Sequence, residues 1–291
     1  MTIHLAVVGP GRVGSALGRQ WVRGGIELMG FVGRDPARTE AAVRFCGAGR
    51  VLSVADLSHA HVVVLAVGDP DLPNAVAACA AAPPRPCSLW LHTSGRHDLD
   101  VLDPLVAHGA RRGILHPAVP VPDPLSGLRN LEHGPAVLTG DENAMQLLRR
   151  LAESLGMVAV PCATGRRSLY HAACALAANG ATALFGAVER VLAAHGGIDP
   201  DDRRMLVAAL AERAISSCRR DGPAPSLSGP VVRGDHQTVA AHLDALRAAG
   251  DAPVGAYVAL MREALRLARM RGLDAVQAAR LEALLGGEAA R

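Results

Sequence analysis

The sequence predicts an α/β protein, with a doubly wound parallel sheet in its first half and only helices in its second. Up to Pro161, short apolar runs alternate with helical patterns, which is typical of parallel strands joined by crossover helices. One run, His61–Val67, is continuously apolar, as expected of a central strand covered on both faces. After Pro161 the strand patterns stop.

The predicted elements follow from these patterns in chain order. Seven apolar runs are predicted strands: Ile3–Val8, Leu28–Val32, His61–Val67, Ser88–His92, Gly113–Leu115, Gly134–Leu138 and Val158–Pro161. Helices are predicted between them over Arg12–Gly24, Pro36–Cys46, Asp98–His108 and Asn143–Leu155. Five helical patterns follow: Ser168–His195, Asp199–Arg219, Asp235–Ala248, Pro253–Arg271 and Asp274–Leu285.

The change of pattern places a domain boundary near Ala163–Arg167. We therefore expect a sheet domain over residues 1–163 and an all-helical domain over residues 164–291. The first helix of the second domain, Ser168–His195, is apolar nearly all round. Such a helix is expected to lie buried at the centre of its domain rather than across a membrane.

Composition excludes several classes of enzyme. The chain has 291 residues, of which 50% are hydrophobic, 2% aromatic and 20% charged, and all 30 basic residues are arginine. Without lysine there can be no Schiff-base chemistry of the pyridoxal-phosphate or aldolase type. The phosphate loop of ordinary P-loop nucleotidases also needs a lysine.

Composition also restricts the partners. The net charge is +3, and the arginines are scattered rather than clustered with aromatic residues, so nucleic-acid binding is not expected. The six cysteines and twelve histidines show no metal-ligand spacing, and we predict no metal site. No secretory leader pattern opens the chain. The cysteines are expected to be reduced, which predicts a cytoplasmic protein.

A glycine-rich turn follows the first predicted strand and opens the first predicted helix. It reads Gly9-Pro10-Gly11-Arg12-Val13-Gly14. In this context the GxGxxG pattern predicts a Rossmann dinucleotide-binding domain. Gly9 permits the tight turn, Gly11 lets the backbone approach a pyrophosphate at the helix N-terminus, and Gly14 lets helix and strand pack closely. Arg12 and Val13 are the other predicted cofactor contacts in this turn.

The end of the second strand indicates which dinucleotide is bound. NAD-binding proteins usually carry a carboxylate there for the ribose hydroxyls, but this chain has Gly33 followed by Arg34. A guanidinium can pair with the 2′-phosphate of NADP, so we predict NADP, with NAD as the alternative if Arg34 is merely solvated. Asp35 is interpreted as a helix N-cap before Pro36.

Further candidate residues follow later strands, where ligands sit in open α/β sheets. Val67 and Gly68 are expected to line the cofactor path, and Asp69 is either a helix cap or a ligand contact. Thr93 and Ser94 are expected near the cofactor. His92 and Ser94 are expected near the substrate.

His116 follows the next strand, and histidine can donate a proton to a developing alkoxide or amine. A capping or core role is equally compatible with His92 and His116.

The helical half adds three polar candidates. His171 and Asn179 fall close to one face of the long helix, and Asn179 needs a polar partner within an apolar stretch. Arg233 precedes the helix that Asp235 is expected to cap, and it could bind a substrate carboxylate through two hydrogen bonds. Its structural alternative is an ion pair with Asp235 or another carboxylate.

These motifs together resemble a family of Rossmann-like oxidoreductases that carry a C-terminal domain called DUF2520. The matching pieces are residues 9–17, 92–95, 116–117, 170–179 and 228–243. The chain is more distantly similar to pyrroline-5-carboxylate reductase, coenzyme-F420-dependent NADP reductase, ketopantoate reductase and 6-phosphogluconate-dehydrogenase-like β-hydroxyacid dehydrogenases. The resemblance implies NADP-linked hydride transfer, with a helical second domain of the 6-phosphogluconate-dehydrogenase type that forms a homodimer.

The resemblance also shows what is missing. The β-hydroxyacid dehydrogenases and ketopantoate reductase place a catalytic lysine four residues before an asparagine on the long helix. Here Asn179 matches the asparagine, but Ala175 stands at the lysine position. The family likeness therefore implies that His116 or His171 would have to donate the proton, with Asn179 positioning the substrate.

Three functions stay open at this stage. The first is NADPH-dependent reduction of a small 2-oxo acid or similar carbonyl, with Arg233 holding its carboxylate. The second is reduction of a cyclic imine, for which a missing lysine would not matter because an iminium is already protonated. The third is a non-catalytic NADP-binding sensor or scaffold, and a flavin or deazaflavin could also take the place of the carbonyl.

Overall fold

The computed structural model of the chain describes residues 2–82, 84–250 and 253–287. Contacts divide the chain into two units, residues 1–178 and 179–291. This division lies inside the long helix, and the domain boundary predicted at residue 163 stays a prediction. Arg167 and Tyr170, at the start of the helix, contact Ser94 and His116 of the first unit.

A single sheet organises the first unit. Over the described residues its eight strands are β1 (His4–Val8), β2 (Glu27–Val32), β3 (Arg50–Val51), β4 (Val62–Leu65), β5 (Leu89–His92), β6 (Arg111–Pro117), β7 (Pro135–Gly140) and β8 (Val158–Pro161). The spatial order is β3-β2-β1-β4-β5-β6-β7-β8. This order confirms the predicted doubly wound sheet, and it reverses between β1 and β4, where such sheets bind ligands.

One pairing differs from an all-parallel sheet. Strand β7 runs antiparallel to β6, with Leu115 opposite Leu138, whereas the other neighbouring strands are parallel. Strand direction depends on the path of the connection, which periodicity alone does not report. Strand β3 was not predicted either, because a strand of two residues has no measurable period.

Helices cover both faces of the sheet. Those of the first unit are α1 (Arg12–Arg23), α2 (Pro36–Cys46), α3 (Leu72–Ala80), α4 (Asp103–Val106), α5 (Pro124–Leu131), α6 (Met145–Ser154) and α7 (Arg167–Ala175). Helices α3 and α5 were not predicted. The predicted helix over Asp98–His108 is a 3₁₀ turn, Leu99–Leu102, followed by the four residues of α4. Trp21 of α1 and Trp90 of β5 lie fully buried in the two cores.

The second unit is helical throughout its described part. Its helices are α8 (Ala181–His195), α9 (Pro200–Asp221), α10 (Pro223–Ser226), α11 (His236–Ala248), α12 (Val254–Met270) and α13 (Ala275–Gly286). A separate core joins α11, α12 and α13 through Val239, Leu243, Leu265 and Leu281. The predicted all-helical second half is therefore confirmed.

The expectation that the long helix is buried was wrong for the chain alone. Helices α7 and α8 are continuous through a π-helical turn at Leu176–Gly180, and within α8 only Ala187 is buried. Helix Arg167–His195 is long and apolar enough to span a membrane by length and composition alone, but only 6% of its most apolar window is buried. The predicted burial failed because apolar composition does not say which surface covers a helix.

Candidate functional site

The glycine-rich turn leaves open space at one glycine and none at the other two. Gly9 has φ +103°, a conformation that L-residues rarely adopt, and a Cβ on Gly14 would lie 2.2 Å from the Gly9 carbonyl oxygen. A Cβ on Gly11 would meet nothing within 4 Å. No side chain caps the start of α1, and its first turn holds no acidic residue. The turn therefore offers backbone N–H groups and room for an anion.

A cavity of about 570 Å³ adjoins this turn. The ends of β1 and β2, the segment that follows β4, and helix α3 line it. Of the predicted cofactor contacts, the lining includes Gly9, Gly11, Arg34, Val67 and Gly68. The lining extends from the glycine turn to the end of β2, which are the positions where a dinucleotide's pyrophosphate and adenosine ribose lie in this kind of sheet.

The remaining predicted cofactor contacts lie outside this lining. Arg12 is exposed and donates to the Pro122 carbonyl (3.3 Å), and Val13 packs against the core. Thr93 and Ser94 are buried after β5, at 9% and 7% exposure. Their cofactor roles stay predictions.

Two arginines mark the end of the cavity beside β2. The Arg34 side chain is 89% exposed, and its Nη2 atom lies 3.3 Å from an Asp71 carboxylate oxygen. Arg38, which the sequence analysis passed over, lines the same space from α2. Asp35 accepts from the Arg38 N–H and caps α2, as predicted. Exposed ion pairs contribute little, so the contact with Asp71 holds the Arg34 side chain only weakly.

A buried histidine holds the loop that follows β5. His92 is fully buried; its Nδ1 accepts from the Ser94 N–H (3.2 Å), and its Nε2 lies 3.2 Å from the Asp98 carbonyl oxygen. The Ser94 hydroxyl oxygen accepts from the N–H groups of Arg96 and His97. Both side chains therefore stabilise the loop, and the substrate-binding roles predicted for them stay predictions.

Protonation of His92 should destabilise the fold in acid. Burial lowers its pKa from 6.5 to about 4, with the nearby Arg167 charge acting in the same direction and the Asp98 hydrogen bond opposing. Between these two pH values the unfolded chain binds a proton that the folded chain does not. The free energy of unfolding should therefore fall as pH falls from 6.5 to 4, by up to about 3 kcal/mol from this residue.

Urea unfolding of wild type and His92→Gln at pH 7 and pH 4.5 measures this contribution. His92→Gln should lose less stability across that interval than wild type. The exposed His59→Gln serves as the matched control and should behave like wild type. Equal losses in wild type and His92→Gln would contradict the assignment.

His116 lies in a cluster with the first turn of α7. Its Nδ1 atom is 2.7 Å from the Tyr170 hydroxyl, and the two rings meet edge to face. Burial lowers the pKa of His116 to about 4, and the neighbouring Arg167 and His171 add to this effect. Burial, with Cys174 beside the phenol, raises the pKa of Tyr170. At neutral pH both groups are therefore uncharged.

Gly95 brings the β5 loop against both histidines of this cluster. A Cβ on Gly95 would lie 2.8 Å from His116 Nε2 and 2.9 Å from His171 Cδ2. The ring centroids of His116 and His171 are 6.3 Å apart. The structure thus brings these two predicted candidates together, with a side-chain-free position between them.

A buried arginine adjoins the same cluster, and the sequence analysis did not identify it. Arg167 is 3% exposed; its Nη2 donates to the Ser94 carbonyl (3.2 Å), and its guanidinium carbon lies 4.6 Å from the centre of the Tyr170 ring. Its Nε and Nη1 atoms are buried without a hydrogen-bond partner among the described residues. A buried guanidinium with unpaired N–H groups is costly unless an anion pairs with it.

The other two predicted candidates belong to the second unit. Asn179 lies in the π-helical turn and is exposed. Arg233 is exposed in the turn before α11, where Asp235 accepts from the Thr238 N–H and hydroxyl. The Asp235 cap was predicted and is confirmed. The substrate roles of Asn179 and Arg233 stay predictions.

The signals for the missed residues were weak. Arg167 stands in a run of two arginines after a glycine, a pattern usually interpreted as exposed helix start. Tyr170 stood out only as the first residue of the matching segment 170–179. What could have identified both is their i, i+3 spacing, which places them on one helix face.

Comparison with known proteins agrees with this architecture. Residues 2–117 match the family model of a Rossmann-like domain, and residues 135–264 match that of DUF2520, a domain of unknown function. No curated protein matches the chain in sequence.

Several solved structures share the fold. An imine reductase from Pseudomonas sp. has 16% identity and a TM-score of 0.63, covering 98% of this chain and 100% of its own. A pyrroline carboxylate reductase from Plasmodium falciparum with NADP bound has 13% identity and a TM-score of 0.62, covering 96% and 98%. A reductive aminase from Aspergillus terreus in complex with NADPH and ethyl-5-oxohexanoate has 16% identity and a TM-score of 0.60, covering 98% and 93%.

Proposed function

We propose that this chain, in which a Rossmann-like domain is followed by a DUF2520 domain, is an NADPH-dependent reductase of a small carbonyl or imine substrate. The observation that carries the proposal is the pairing of an open glycine turn with a buried, uncharged histidine cluster. The turn follows β1, and His116 lies at the carboxyl end of β6 in the same sheet. When bound, NADPH supplies a hydride; the chain binds and orients the reactants and delivers a proton.

The residues at the glycine turn fit such a cofactor. Gly11 leaves room for a pyrophosphate, and the uncapped start of α1 supplies N–H groups. Arg34 and Arg38 supply positive charge where an adenosine 2′-phosphate would lie. The structural neighbours that hold NADP or NADPH support this cofactor.

Arg34 should select NADPH over NADH. Arg34→Ala removes the side chain proposed to pair with the 2′-phosphate, and we expect NADPH affinity to fall by about 10- to 100-fold with NADH affinity unchanged. Asp71→Asn is the matched variant, because it removes the competing carboxylate and should strengthen NADPH binding. Fluorescence titration with both cofactors measures the effects. Equal losses for NADPH and NADH in Arg34→Ala would contradict the assignment.

His116 is the proposed proton donor. If the Tyr170 hydroxyl donates to Nδ1, the neutral ring carries its proton on Nε2, the atom that faces Gly95. A neutral imidazole N–H at a fixed position can stabilise the oxygen of a carbonyl as negative charge develops on it. His171 and Ser94 would help to position the substrate, and the role of Asn179 stays a separate prediction.

Two substrate classes follow, and one assay separates them. A 2-oxo acid such as ketopantoate would use the His116 donor. A cyclic imine such as pyrroline-5-carboxylate arrives protonated and needs no lysine, and the imine-reducing neighbours favour it as the second candidate. NADPH oxidation with each compound discriminates between them. Cofactor binding without turnover of any carbonyl or imine would instead support a non-catalytic NADP-binding protein.

The proposal includes a cytoplasmic homodimer that binds small molecules only, without membrane or nucleic-acid partners. The apolar surface of the long helix supports an interface between two copies, since Leu176 is 76% exposed and Leu184 is 42% exposed. No group of metal-ligating side chains occurs in the part of the chain that the structure describes.

A further inference from the structure

We infer that Arg167 is the binding residue for a carboxylate on the substrate, so that the substrate class is a carboxylate-bearing imine or carbonyl. This inference rests on the proposed function and makes it more specific. It assigns the anion to a residue of the first unit that lies beside His116.

Part of the buried guanidinium of Arg167 has no hydrogen-bond partner among the described residues. The Nη2 atom of Arg167 meets a main-chain carbonyl oxygen, whereas Nε and Nη1 have no partner among the residues described. Buried guanidinium groups are ordinarily paired with carboxylates. Each of these two unpaired N–H groups can donate a charge-assisted hydrogen bond to a carboxylate oxygen.

The electrostatic surroundings of Arg167 also favour an anion. Arg167 is the first residue of α7, whose first turn contains no acidic side chain and whose start has no side-chain cap. The positive end of the helix dipole therefore adds to the guanidinium charge. The neighbouring rings of His92 and His116 are uncharged at neutral pH, so neither competes for an anion nor neutralises one.

The position of Arg167 relative to His116 also limits the size of the substrate. Tyr170 lies between Arg167 and His116, with its ring against the guanidinium and its hydroxyl against the imidazole. A substrate that spans this distance carries its carboxylate only a few bonds from the reducible carbon. The inference thus limits the substrate to small compounds such as 2-oxo acids or cyclic imino acids.

Burial affects how the carboxylate binds. The two unpaired nitrogens are covered by protein, so side chains around them must shift before an anion reaches them. Once they have shifted, pairing costs Arg167 no further desolvation, because the guanidinium has already left water. In the free protein the hydrogen bond to the Ser94 carbonyl and the contact with Tyr170 offset only part of the cost of burying this charge without a carboxylate. We therefore expect Arg167→Met to melt at the same temperature as wild type or higher.

Binding of a non-reactive pair of probes tests the inference without turnover. Calorimetry with the NADP-saturated protein compares pyrrole-2-carboxylate with the neutral pyrrole-2-carboxamide. Wild type should prefer the carboxylate by about 100-fold, and Arg167→Gln should lose this preference. Arg166→Gln removes the same charge from the exposed neighbouring residue and should keep it. Arg167→Lys, which retains the charge without the fork, should fall between.

The outcomes separate this inference from the proposed function. Reduction of 2-methyl-1-pyrroline and pyrroline-5-carboxylate with NADPH is measured on the same variants. An Arg167-dependent carboxylate preference without any reduction would support the anion site and refute the reductase. Reduction of both imines with equal efficiency in wild type and Arg167→Gln would refute the anion site and support the reductase. A loss of NADPH affinity in Arg167→Gln would show that the anion is the cofactor's phosphate and would overturn the assignment.

Discussion

Gly11→Val should abolish useful NADPH binding without unfolding the protein. A side chain at Gly11 meets no atom of the chain within 4 Å, and its backbone is extended at φ −84° and ψ −171°, which valine tolerates. The branched side chain would occupy the space that the proposed pyrophosphate needs. A clash of about 3 kcal/mol corresponds to a roughly 100-fold weaker affinity. Titration calorimetry with NADPH measures the loss, and thermal melting without cofactor checks that the fold is intact.

Gly14 provides the contrasting variant. A Cβ there would lie 2.2 Å from the Gly9 carbonyl oxygen, so Gly14→Val should lower the melting temperature even without cofactor. The two glycines of one motif thus have separable roles, one in binding and one in packing. If Gly11→Val bound NADPH as tightly as wild type, the cavity beside the turn would not be the cofactor site.

His116→Asn should lower kcat for reduction of a 2-oxo acid by about 10²- to 10⁴-fold, the usual contribution of a positioned proton donor. NADPH affinity should not change, because His116 is absent from the lining of the cofactor cavity. Tyr170→Phe should cause a smaller loss, since it removes only the hydroxyl that orients Nδ1. Steady-state kinetics at saturating NADPH measure both effects.

The pH dependence of the rate distinguishes the form of His116 that acts. With a pKa of about 4, the ring is neutral above pH 5. The rate should therefore be the same from pH 8 down to pH 6 and should fall as the pH is lowered further toward 4. A donor that acts as the imidazolium would instead lose activity as pH rises through its pKa. A decline of kcat between pH 6 and pH 8 that disappears in His116→Asn would contradict the neutral donor.

Local patterns were sufficient to predict most of the fold. The run His61–Val67 and the GxGxxG turn predicted a doubly wound sheet, and capping by Asp35 and Asp235 was correct because a cap involves only neighbouring residues. The antiparallel β7 and the exposed long helix were beyond such patterns. Strand direction depends on how distant segments pair, and burial depends on which surface covers a helix.

The candidate site was predictable only in part, for a similar reason. His116 and His171 were found as polar residues after a strand and on a helix, and they do lie together around Gly95. Arg167 was missed because its significance lies in burial and missing partners, which are tertiary properties. The lysine position of the resembling dehydrogenases is Ala175 in this chain. Ala175 belongs to the helix whose first turn brings Tyr170 against His116, so an uncharged pair lies at the start of that helix. The absent lysine therefore remains the most informative feature of the composition.

Transfer of deuterium from NADPH labelled at C4 tests the central proposal most directly. The protein is incubated with the labelled cofactor and, separately, ketopantoate and pyrroline-5-carboxylate, and the products are analysed by mass spectrometry. We predict that one of the two yields a product one mass unit heavier, in wild type and not in Gly11→Val. If that substrate is ketopantoate, the rate should be much slower in His116→Asn. Tight NADPH binding with no deuterium in either product, or equal labelling of the ketopantoate product by His116→Asn, would contradict it.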